Sequence, residues 1–170
     1  MLQPIGQRVE NMTNSGDTVF WLLMAGTLLY FALALALSLI DFRSQLLPDR
    51  LTLPLLWLGL LFHCLMDPRT VDDAVYGAAA GYLSLWVVFQ LFRWKTGREG
   101  LGYGDFKLLA AIGAWNSWQS LPVVITAASL LGLASVGFIY IAKQRLLKTI
   151  PFGPCLAAAG WGEFVWQAFW

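Results

Sequence analysis

The chain has 170 residues, is 58% hydrophobic and 12% charged, and carries a net charge of +1. An average soluble domain is about 25% charged, so the composition excludes a water-facing globular surface and leaves lipid as the outer solvent. The near-zero charge gives no electrostatic footprint for a nucleic-acid partner. The two cysteines, Cys64 and Cys155, make neither a CxxC nor a metal-ligand pattern and read as small buried hydrophobes.

Residues 1–18 form a polar amino-terminal segment. The apolar run after it is too long for the h-region of a signal peptide and lacks a small-x-small cleavage site, so it reads as a retained first span, Val19 to Ile40. Its length meets the roughly 20 residues needed to cross a bilayer. Asp41 follows at once and opens a short polar loop, 41–50. There Pro48 biases Leu47 away from helix and Asp49 is placed to cap the next helix. The second span runs from Leu51 to Met66, with Pro54 near its start, where a missing N–H costs little.

Asp67-Pro68-Arg69 breaks the apolar run, and Asp72 and Asp73 open a third span, Ala74 to Phe92. Within it, Gly77-Ala-Ala-Ala-Gly81 is a small-xxx-small face that lets helix backbones approach closely. A basic loop, Arg93 to Glu99, leads into Leu101-Gly102-Tyr103-Gly104-Asp105-Phe106-Lys107. The fourth span, from Asp105 to Trp115, is short and needs shelter from its neighbours. After a tight turn at Asn116 to Ser120, the fifth span runs from Leu121 to Ala142 and is closed by Lys143, Arg145 and Lys148. The last segment, Ile150 to Trp170, starts at Pro151-Phe152-Gly153-Pro154 and ends rich in tryptophan, which suits a membrane interface. The predicted fold class is all-α: a polytopic helical membrane bundle of about six segments, with one membrane-embedded domain over 19–170.

Orientation follows from the bases. Arg43, Arg50, Arg93, Lys95, Arg98, Lys107, Lys143, Arg145 and Lys148 lie in or beside loops one, three and five; the other side holds Arg8 and Arg69. The positive-inside rule puts those loops in the cytoplasm and both termini outside. Asp41 and the Gly102–Lys107 stretch then share the cytoplasmic face.

Acids at membrane depth are costly and face a partner or a wet cavity. Asp41 and Asp105 adjoin apolar helix, unlike Asp67, Asp72, Asp73 and Glu163, which read as solvated charges. Two readings stay open from the residues alone. Asp105 is a helix cap and Asp41 a terminal charge, or the two form a working pair. Gly102 and Gly104 weigh toward the second. Glycine permits a positive φ and close approach of another chain, which a cap does not need and an extended peptide substrate does. Lys107 would hold substrate, screen charge, or only snorkel.

Two ionised carboxylates about 4 Å apart repel by roughly 4 kcal/mol at an effective dielectric near 20, enough to keep one protonated over a wide pH range. The ionised member then draws a proton from water while the other donates to a scissile carbonyl. Such chemistry needs no metal. The lone His63 lacks convergent partners in the sequence and reads as structural.

Three stretches together, Ile40-Asp41-Phe42-Arg43 through Leu47-Pro48-Asp49, Gly102-Tyr103-Gly104-Asp105-Phe106-Lys107 and Pro151-Phe152-Gly153-Pro154, resemble the type IV prepilin peptidases, membrane aspartic proteases of the GxGD kind. The resemblance covers about residues 30–165. It implies catalytic aspartates at Asp41 and Asp105, an active-site stretch of Gly102, Tyr103, Gly104 and Lys107, and a structural, site-lining role for Pro151, Phe152, Gly153 and Pro154. It also implies a bacterial inner-membrane enzyme that cleaves the basic leader from type IV prepilins or type II secretion pseudopilins. Many members then N-methylate the new terminus with S-adenosylmethionine, and many carry paired CxxC motifs. This sequence has no CxxC, so it is expected to bind no zinc, to need no cofactor for proteolysis, to use S-adenosylmethionine only if methylation is retained, and to be a short form of the family. The resemblance does not give an oligomeric state; Glu99 and Asp49 are candidate leader-binding acids. The rival readings are an ion- or proton-coupled transporter subunit, in which buried acids relay protons, and an inactive assembly protein of a pilus or secretion system.

Overall fold

The structure, a computed structural model, describes residues 5–97, 102–143 and 152–169. Among these residues there are six α-helices and no strand: α1 (Ile5–Ser44), α2 (Asp49–Met66), α3 (Val71–Thr96), α4 (Tyr103–Asn116), α5 (Leu121–Lys143) and α6 (Gly153–Phe169). Single 3₁₀ turns at Pro68–Thr70 and Trp118–Ser120 lead into α3 and α5.

Among the described residues, four stretches are long and apolar enough to cross a membrane: Asp17–Ser44, Asp49–Met66, Pro68–Thr96 and Trp118–Phe138. The protein is an all-helical membrane protein. The six predicted segments appear as six helices, but α4 and α6 have 14 and 17 residues. At 1.5 Å per residue they reach about 21 and 26 Å, short of a hydrocarbon core of about 30 Å.

The short α4 is the centre of the molecule. Phe106 and every residue from Leu108 to Asn116 are buried, and the helix packs on α3, α2 and α6. The shelter expected for it is therefore supplied by its neighbours, whose outward faces carry exposed Trp57, Leu65, Tyr76 and Trp166. The small-residue face of α3 sets the closest approach. A Cβ on Gly77 would collide with the Gly113 carbonyl of α4 and a Cβ on Gly113 with that of Gly77, while one on Gly81 would lie 2.5 Å from the Leu109 oxygen. With no side chains between them, the two backbones touch directly.

Several predicted boundaries move. Helix α1 reaches back through the polar segment to Ile5 and forward past Asp41 to Ser44, so Asp41 lies on a helix rather than in a loop. The helix stops at Gln45, whose φ of 52° is left-handed and whose N–H bonds to the Asp41 carbonyl at 2.8 Å, an αL termination. Arg93 to Thr96 are likewise helical, and α3 ends at Gly97 with φ 66°. Asp49 does not cap α2: Pro48 is the N-cap and makes no side-chain bond. The cysteines are not buried, since Cys64 is exposed and Cys155 half-buried; a thiol as apolar as its neighbours can face lipid.

Candidate active site

One seam joins α1, α4 and α6. Along α1 the buried residues Tyr30, Ala34, Leu37 and Asp41 fall at i, i+4, i+7 and i+11, one face of a helix. Asp105, Leu109, Ile112 and Asn116 repeat that spacing on α4, all buried. The two series run antiparallel. Asn116 meets Tyr30 at one end, Nδ2 donating to the hydroxyl at 3.4 Å, and Asp105 lies toward Asp41 at the other, near enough for two charges there to repel. About 16 Å of helix separates the ends. Helix α6 spans the same length, with Gly153 against Asp41 and Gly160 against Tyr30 and Ile112.

At the acid end, both carboxyl groups are nearly closed off, Asp41 at 5% and Asp105 at 9% exposure. Each meets one backbone N–H at a helix start. The Phe152 carbonyl accepts from Leu156 at 3.1 Å, opening α6, and the Gly153 N–H donates to Asp41 Oδ2 at 3.1 Å. Such an N–H has no partner within its own helix, and the helix end carries partial positive charge. Pro154, next along, has no N–H to offer. The Gly153 position tolerates no side chain, since a Cβ would sit 2.6 Å from Asp41 Oδ2. Asp105, third residue of α4, reaches back to the N–H of the N-cap Gly102, the reciprocal half of a capping box. Asp105 thus bonds back from the third position of α4, and Gly102, not Asp105, is the N-cap.

The two glycines beside Asp105 act differently from expectation. Gly102 has φ −75° and ψ 139°, open to any residue, and Gly104 is helical. Gly104 is needed instead for close approach: a Cβ there would lie 2.7 Å from Leu47 Cβ. Tyr103, two residues before Asp105 and so on another face of α4, packs on Phe89 of α3 at 5.2 Å and on Phe106 at 5.8 Å. Lys107 pairs with Asp49 at 2.6 Å, both half exposed. Phe152 is half-buried beside Gly132 of α5. Pro151 and Glu99 lie outside the described residues.

At the far end the polar groups are neutral. Asn116 Nδ2 also donates to the Gly160 and Ile112 carbonyls, each at 3.1 Å, and Tyr30 stacks on Trp115 at 4.9 Å. His63 bonds to Thr70 Oγ1 at 2.8 Å and to the Trp115 carbonyl at 3.1 Å, the structural role its sequence context suggests. Sequence reading missed Asn116, which it left in a turn, and Leu47. The repeat of the α1 spacing on α4 carried a signal for Asn116; nothing local pointed to Leu47.

The type IV leader peptidase family matches residues 28–137. The chain is 52% identical over 147 residues to a prepilin leader peptidase/N-methyltransferase of Aeromonas hydrophila, covering 86% of this chain and 50% of that protein. The same name belongs to relatives from Pseudomonas aeruginosa, 54% identical over 134 residues (78% and 46% of the two chains), and from Escherichia coli K12, 54% over 129 residues (76% and 57%). The chain spans about half the length of the curated relatives it matches. No solved structure matches it. The residues matched by the family include both aspartates and the whole α4 core, and the chain belongs to the type IV leader peptidase family.

Proposed function

We propose that this protein is a membrane aspartic endopeptidase that removes the leader from type IV prepilins or type II secretion pseudopilins, with Asp41 and Asp105 as its catalytic acids. The observation that carries the reading is the burial of these two acids at one end of the seam, near enough for like charges to repel, each with one backbone N–H among the described residues. Such a pair shares one proton. The ionised acid takes a proton from the attacking water as its protonated partner gives one to the scissile carbonyl oxygen, forming a gem-diol. The C–N bond then breaks as the first acid passes its proton to the leaving amine and the second regains one from a gem-diol hydroxyl, which restores the starting state. By the positive-inside rule, the bases Arg43, Arg93 and Lys95 in the last turns of α1 and α3 support a cytoplasmic face for this end, in a bacterial inner membrane with both termini outside. A substrate helix reaches the acids through lipid, unwinding at its polar junction. The relatives' names do not favour a transporter.

Those names also include N-methyltransferase, a reaction that consumes S-adenosylmethionine.

Co-expression with a candidate prepilin, with the mature amino terminus read by mass, tests the proposal. Wild type yields the shortened pilin, and Asp41→Asn and Asp105→Asn each leave it uncut while still inserting in the membrane. Normal leader removal by either variant would end the paired-acid mechanism. An uncut pilin with well-inserted wild type would favour the inactive assembly role, and a mass increment of one methyl group would show that methylation is retained.

A further inference from the structure

Helices α1 and α4 carry the two acids, yet neither leans mainly on the other: α1 packs on α6 and α2, and α4 on α3, α2 and α6. Something must fix how far apart the carboxyl groups stand. The connection after Asp41 is built to do so. Four residues beyond Asp41, α1 ends at Gln45 in a left-handed conformation that a non-glycine side chain adopts reluctantly, and the chain turns toward α4. Leu47 then lands on Gly104, so closely that a Cβ there would be 2.7 Å from its own Cβ. Two residues on, Asp49 Oδ1 meets Lys107 Nζ at 2.6 Å.

Positions 104 and 107 are one turn apart on the same face of α4, and they flank Asp105. One contact alone would leave the first turn of α4 free to slide or to rotate. Two contacts on one face hold both its height and its rotation, and with them the direction of the Asp105 side chain. An ion pair this exposed adds little to stability, so its value here is geometric.

We propose that the strap Gln45–Asp49 sets the separation of Asp41 and Asp105, with Leu47 and the Asp49–Lys107 pair as positioning residues for the acids. The inference rests on the peptidase reading for its effect on rate, but its geometric content stands apart from turnover.

Two measurements test it. In the prepilin assay, Asp49→Ala and Lys107→Ala lower kcat by about tenfold or more, as small misplacements of reacting groups do, and leave KM within about twofold of wild type, since neither residue then touches substrate. The exchanged pair Asp49→Lys with Lys107→Asp recovers most of the rate. Single variants at wild-type kcat, or an exchange as slow as the singles, would overturn the proposal.

The second measurement needs no activity. In a full chain with Cys64 and Cys155 changed to alanine, Asp41→Cys and Asp105→Cys are oxidised to a disulfide. Adding Lys107→Ala slows that cross-link at least about fivefold if the strap sets the separation, given the narrow distance range a disulfide accepts. An unchanged rate overturns it. A slowed cross-link in a protein that cuts no prepilin would keep the strap and discard the peptidase reading; cutting that Asp41→Asn and Asp105→Asn abolish, with an unchanged cross-link, would do the reverse.

Discussion

The two ends of one seam answer the same packing problem in opposite ways. Both lie where α1, α4 and α6 meet, and both bury polar side chains in a mainly apolar protein. At the Asn116 end the groups are neutral, and the amide N–H bonds reach a tyrosine hydroxyl and two carbonyls inside an aromatic shell. At the Asp41 end two acids lie near enough for like charges to repel, with one backbone N–H apiece among the described residues. At the neutral end the amide N–H groups find acceptors and Asn116 Oδ1 is left without a partner among the described residues, a modest cost for an uncharged group. A like-charged pair in a closed site stores repulsion, and it persists where proton exchange is the point. The contrast supports the chemical role proposed for the acid end without reference to any motif.

The first way to break the contrast is at Gly153. Gly153→Ala drives a Cβ against Asp41 Oδ2, and prepilin cleavage should fall about a hundredfold while the purified protein unfolds at nearly its usual temperature. Loss of folding with no loss of specific activity would make Gly153 a packing residue only. Next is the contact that seats α4. Gly113→Val sets a branched side chain against the α3 backbone and should cost about 1–3 kcal/mol or more of stability by overpacking, visible as a lower unfolding midpoint in detergent. The smallest effect is expected at the neutral node. Asn116→Leu removes the partner of the Tyr30 hydroxyl but also a buried Oδ1 that has no partner, so the net loss is about 1 kcal/mol, and kcat per folded molecule stays within about twofold. A hundredfold drop in kcat there would erase the distinction between the two ends.

The helices were legible because their apolar runs are long and sharply bounded. The acids were legible because charge is so scarce that Asp41 and Asp105 stand out beside apolar helix. The helix ends were less so. A charged residue does not stop a helix, and α1 runs through Asp41 and Arg43 to the left-handed Gln45, a conformation that no residue type there announces. Gly104 was legible as special but for the wrong reason. Its neighbours suggested a flexible, open backbone, whereas the absent side chain makes room for Leu47, which is distant in sequence. The Asp49–Lys107 pair was hidden in the same way, since each residue has an ordinary local reading, as a cap and as a snorkelling base, and only the fold joins them.

The brevity of α4 has a consequence for the bilayer itself. A central helix about 9 Å shorter than the hydrocarbon around it cannot bring both its ends level with the headgroups. Either the leaflet puckers inward over Asp105 or a wet vestibule descends to it, and each carries an energetic cost that grows with lipid length. The hydrolysis proposed for this protein should therefore be tuned by acyl-chain length, running faster in thin membranes than in thick ones.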